Sequence, residues 1–77
     1  MEEFNITIAE RLNLLTFLVK DQGEIVEPGD KFEVFLDGQL VATYCPQEDG
    51  LKICDNFGHL DQALIDGIAD GILSHYL

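Results

Sequence analysis

Carboxylates are the side chains in this sequence whose number and spacing could do chemistry. Asp21, Glu24, Glu27, Asp30, Glu33 and Asp37 recur every three or four residues. A second group, Glu48, Asp49, Asp55, Asp61, Asp66 and Asp70, is offset by a single Lys or Arg, Lys52. Asp66 and Asp70 fall one helical turn apart, about 6 Å, which is near the spacing of phosphates. Like charges at that interval weaken a helix by roughly 0.2–0.5 kcal/mol, so keeping them has a small cost. Recognition of a basic partner gives the carboxylates a use. The residues read as partner-binding are Glu24, Glu27, Asp30, Glu33, Asp37, Glu48, Asp49, Asp61, Asp66 and Asp70. The plainer alternative is a solvated face that keeps a small apolar protein in solution.

Other chemistries fit the spacing poorly. No nucleophile, base and orienting group stand at a recognisable interval, and Ser74 and His75 are adjacent on a predicted helix and so point in different directions. The sequence is therefore expected to lack enzymatic activity. Asp-Gly occurs at Asp37, Asp49 and Asp66, but the segment from Asp61 to Asp70 is filled with Leu64, Ile65 and Ile68 and cannot make a calcium loop. Cys45 and Cys54 match no zinc or Cys-x-x-Cys spacing. They could pack as reduced thiols, which is the simplest reading, close a cross-strand disulfide that acts as a redox clasp, or bind metal with His59 and His75. His75, near a helix C-terminus, is more simply a cation favoured by the helix dipole. No cofactor and no metal are expected.

The elements that must position these groups are read from periodicity. Thr7 and Glu10 have the form of a capping box, and Ile8, Leu12, Leu15 and Val19 share a helical stripe ending at Gly23. This predicts an N-terminal helix, with a strand through Phe4, Ile6 and Ile8 as the rival. Pro28-Gly29-Asp30 signals a turn after Ile25-Val26-Glu27, Lys31 to Leu36 reads as a strand, and Asp37-Gly38 as a tight hairpin into Gln39–Tyr44. Asp49-Gly50 then separates Val41–Cys45 from Leu51–Cys54. A two-residue loop there would set Cys45 opposite Cys54, although Pro46 cannot donate at its own position. Leu60, Leu64, Ile68 and Ile72 form a second helical stripe from about Leu60, widened by Ile65, Ala69 and Tyr76. Gly67 and Gly71 lie one turn apart within it, which suggests close backbone approach to the sheet or to a second subunit. The expected fold is α+β, with a helix, a three-stranded antiparallel meander and a helix (αβββα) in two layers, as one domain over residues 1–77.

Fifteen acidic side chains against four basic ones give a formal charge of -11, which excludes affinity for DNA, RNA or anionic lipid and favours a basic protein partner. The acidic N-terminus and the short apolar run from Leu12 to Val19 point to a cytosolic chain without a leader or membrane span. The predicted layout is similar to that of double-stranded-RNA-binding domains. Where those domains place basic residues, this chain has His59-Leu60-Asp61 and Asp66. In size, layout and the acidic positions from Asp21 to Asp37 and from Glu48 to Asp70, the chain resembles phage-encoded nucleic-acid mimics of the anti-CRISPR type. The resemblance implies a non-enzymatic inhibitor that occludes a nucleic-acid-binding surface in the host cytoplasm. The rival expectation is a small homodimeric assembly module, built through Gly67, Gly71, Ile68 and Ile72, whose acidity serves solubility.

Overall fold

Alternation, not helical periodicity, governs the N-terminal third of the chain. The computed structural model describes residues 2–23 and 31–77. Among these, β1 (Glu2–Glu10), β2 (Asn13–Asp21), β3 (Phe32–Leu36), β4 (Gln39–Gln47) and β5 (Gly50–Asn56) form one antiparallel sheet in sequential order, followed by α1 (Gln62–His75). The αβββα expectation is thus corrected to five strands and one C-terminal helix. Phe4, Ile6 and Ile8 on β1 and Leu15, Phe17 and Val19 on β2 point to the same face of the sheet, as a period of two requires. Thr7 caps nothing: its hydroxyl lies 3.1 Å from that of Thr16 across the hairpin. The turn between the strands is Arg11-Leu12, without Gly, Asn, Asp or Pro, and Arg11 takes a φ of 56° that non-glycine residues seldom adopt. The turn expected at Pro28-Gly29-Asp30 lies outside the described residues.

The Asp37-Gly38 hairpin has positive φ at both central residues, 52° and 81°, which matches the right-handed twist of β3 and β4. The next hairpin differs from expectation. Its loop is Glu48-Asp49, closed by Gln47 opposite Gly50, so Cys45 faces Lys52 rather than Cys54. Cys54 is the extra residue of a bulge between Ile53 and Asp55, and from there the disulfide to Cys45 is formed with a Cα–Cα distance of 6.2 Å. Reduced packing thiols are therefore not what the structure holds. Pro46 lies beyond the last β3–β4 pair, Phe32 with Tyr44, where β4 has no β3 partner and a missing N–H is tolerated.

A second bulge interrupts β3 and β4 between Val34 and Phe35. Bulges increase local twist, and the sheet curls until both edge strands, β1 and β5, lie against α1. The core fills this half-barrel. Phe17, Val19, Phe32, Val34, Ala42 and Tyr44 from the sheet meet Leu64, Ile68 and Ile72 from the helix, all buried. The Tyr44 hydroxyl donates to the carbonyl of Ile65 at 2.8 Å, so the one polar atom of the largest core side chain is satisfied. Burial, followed by the nearby Asp66 charge, pushes that phenol above its ordinary range.

Gly67 and Gly71 let the helix approach β1. A Cβ on Gly67 would lie 3.1 Å from Ile8 Cδ1, and one on Gly71 would lie 2.8 Å from both Cδ1 and Cγ2 of Ile6. With Ile68 and Ile72 buried beside them, this face of the helix belongs to the core of its own chain. The helix ends are tied down separately. Asp61 caps the start, accepting from the Leu64 N–H at 2.9 Å. At the other end the His75 ring stacks on Phe4 at 3.7 Å and pairs with Glu2, while the Tyr76 hydroxyl donates to Asp21.

Candidate functional site

The fold sorts the carboxylates into those it uses and those it leaves free. Asp21 is buried, and desolvation alone would raise its pKa. Hydrogen bonds from the Tyr76 hydroxyl and the Gly23 N–H, with the Lys31 charge nearby, outweigh that and hold it below the ordinary value of 3.8. Asp55 accepts from the Thr43 hydroxyl at 2.8 Å, and Glu33 accepts from the Gln22 side chain. Glu3 pairs with Lys20 at 3.9 Å, Glu2 with His75, and Asp61 is committed to its cap. Asp21 and Asp55 keep structural jobs that nothing in their spacing signalled.

Asp37, Glu48, Asp49, Asp66 and Asp70 are exposed, and none of them meets a basic side chain among the described residues. Asp66 accepts from the Gln62 amide at 2.8 Å, one turn earlier on the helix. Four of the five lie on two neighbouring elements, α1 and the β4–β5 turn. Gly67, Gly71, Ile68 and Ile72 turn toward the sheet, so the 3.6-residue period puts Asp66 and Asp70 on the outward side of α1, flanked by Leu73. A Cβ on Gly50 would lie 3.6 Å from Leu73 Cδ1, which sets the Glu48-Asp49 turn beside the C-terminal half of the helix. The result is an acidic ridge of two helical and two turn carboxylates, exposed and without an ion pair among the described residues. Such a ridge carries a negative potential that attracts cationic groups.

The two acidic groups read from the sequence therefore meet different fates. Glu48, Asp49, Asp66 and Asp70 make up the ridge, whereas Asp61 is the N-cap of the helix. Glu33 lies on β3, and Asp37 in the β3–β4 turn borders a cleft on the opposite face of the sheet. Glu24, Glu27 and Asp30 lie outside the described residues. No described group of three or more His, Cys, Asp or Glu side chains converges on a point that could hold a metal ion. No helix among the described residues is long and apolar enough to cross a membrane.

Sequence reasoning missed the cleft. Asn5, Thr16, Leu18, Lys20, Phe35, Asp37 and Gly38 line a depression of about 210 Å³ on the sheet face away from the helix. Lys20 reaches over the Phe35 ring at 4.9 Å from its centroid. The signal was Leu14, Leu18 and Phe35 alternating with residues that point into the core, which is legible only once the segment is read as a strand. Comparison with protein-family models, with curated proteins and with solved structures finds no match for this chain.

Proposed function

We propose that this chain is a non-enzymatic binding protein whose acidic ridge, Asp66, Asp70, Glu48 and Asp49, occupies a basic surface on a protein partner. What supports the reading is that four exposed carboxylates lie on neighbouring elements without an ion pair to a described basic side chain, in a chain of formal charge -11. Asp21, Glu33, Asp55 and Asp61 have work inside the fold, whereas these four form no ion pair with a described basic side chain. A basic surface of matching extent is the kind that proteins use to bind nucleic acid, so the proposed action is occlusion of such a surface, as by an inhibitory nucleic-acid mimic. The double-stranded-RNA-binding layout no longer contributes to that proposal, because the fold begins with a hairpin; size and charge do.

The test is capture of the partner on the immobilised chain, followed by competition. Duplex DNA or RNA should release the captured protein, and Asp66→Lys with Asp70→Lys should prevent its capture while the circular dichroism of the chain is unchanged. Undiminished capture by the Lys variant would remove the ridge from the interface. Capture insensitive to excess nucleic acid would remove the mimicry.

A further inference from the structure

The tip of the first hairpin is built against ordinary turn and surface chemistry. Its two loop residues are Arg11, held at a φ of 56°, and Leu12, which is 101% exposed; Leu14 follows at 73%. A non-glycine residue at positive φ costs stability, and neighbouring exposed apolar side chains such as Leu12 and Leu14 are the material of contact surfaces. β3 pairs with β2 over Leu18–Asp21, so from Thr7 to Thr16 the two strands have only each other as sheet partners among the described residues. A two-stranded ribbon of this kind is marginal alone. Arg11 is the single arginine of the chain, and no described carboxylate lies within ion-pair distance of it.

The cleft on the outer sheet face has the complementary character. Leu18 and Phe35 give it its apolar surface, Lys20 lies over the Phe35 ring and is itself paired with Glu3, Asn5 and Thr16 add polar lining, and Asp37 supplies a carboxylate at the rim. At about 210 Å³ it falls short of the roughly 300–1,000 Å³ of ordinary small-molecule sites, yet exceeds the roughly 150 Å³ cavity that accepts benzene. A single apolar side chain fits that size. The chain's own tip cannot reach it, because Leu12 and Leu18 are six residues apart on one hairpin, roughly 20 Å along an extended strand.

We propose that Leu12 of one copy seats in the Leu18–Phe35 cleft of a second copy, with Arg11 pairing to Asp37 at its rim. Knob and socket are both present on each copy, so a two-fold rotation satisfies both contacts at once and closes a dimer. Leu14, on the same strand face as Thr16 and Leu18, lies between tip and cleft and is covered in that arrangement. The interface is separate from the acidic ridge, which stays open on the helix side of the molecule.

Sedimentation equilibrium of the purified chain tests this without any partner protein. The wild type should dimerise at concentrations up to about 100 μM. Leu12→Glu should lower the association constant at least tenfold. Arg11→Asn should also weaken the dimer at least tenfold while raising the melting temperature measured in dilute monomer, because Asn tolerates the left-handed conformation that Arg11 is forced to adopt. That opposite movement of association and stability separates lost contact from lost fold. A wild type that stays monomeric over the whole range overturns the proposal, as does a dimer unaffected by both substitutions.

Discussion

Replacing Gly71 with alanine sets two effects of known sign against each other. Alanine gains about 1 kcal/mol over glycine in a helix interior. At position 71, however, the new methyl meets Ile6 at 2.8 Å from both Cδ1 and Cγ2 and at 3.1 Å from Cγ1. Cγ1 and Cγ2 both branch from the Ile6 Cβ, whose χ1 is stiff, so overpacking of about 1–3 kcal/mol applies and outweighs the gain. Gly67→Ala meets only the far end of Ile8, at 3.1 Å from Cδ1, with the next atoms at 3.8 and 4.0 Å. There the side chain yields by a few tenths of an ångström, and the helix gain survives. The expected order of stability is Gly67→Ala at or above wild type, with Gly71→Ala about 1 kcal/mol or more below Gly67→Ala. For a domain of this size each kcal/mol moves the melting temperature by about 4–8 °C, well within the reach of thermal circular dichroism. A Gly71→Ala variant as stable as Gly67→Ala would refute the seating of the helix over Ile6.

Reducing the Cys45–Cys54 disulfide, or replacing both cysteines with serine, should cost about 2–3 kcal/mol by the loop-closure account for a cross-link of sequence separation 9; equal urea midpoints with and without reductant would contradict this. Asp21 makes stability fall in acid. Its folded pKa lies below the ordinary 3.8, so its contribution is fully present above that value and is lost as pH falls through the folded pKa. Tyr76→Phe removes the principal hydrogen bond that holds the carboxyl down, and Asp21→Asn removes the titration. Either variant should flatten the dependence of the melting temperature on pH below about 4, and an unchanged acid slope in both would exclude this pair.

Much of the second half of the fold is legible in the residues. Asp37-Gly38 carries its turn type in its chemistry, and Leu64, Ile68 and Ile72 bury the stripe that their spacing describes. The first half is not legible in the same way. Ile8, Leu12, Leu15 and Val19 satisfy a helical stripe, yet Ile8, Leu15 and Val19 also satisfy strand alternation once a turn is placed between them. The Arg11-Leu12 turn carries no residue that would announce it. The β4–β5 register also escapes because a bulge at Cys54 and a loop at Glu48-Asp49 shift the pairing together. Among the acids, composition yields the charge but not its division. Asp61 is a cap, Asp21 an acceptor for Tyr76 and Asp55 one for Thr43, assignments fixed by contacts distant in sequence.

The proposed role of the ridge is tested most directly by the salt dependence of its partner affinity. Exposed charges are screened within about 10 Å at 0.1 M ionic strength, so the affinity of the wild type for the captured partner should fall steeply as salt is raised. Neutralising Glu48, Asp49, Asp66 and Asp70 as Gln and Asn should weaken binding at low salt and leave a nearly flat salt profile. Equal slopes for wild type and the neutralised chain would contradict the account.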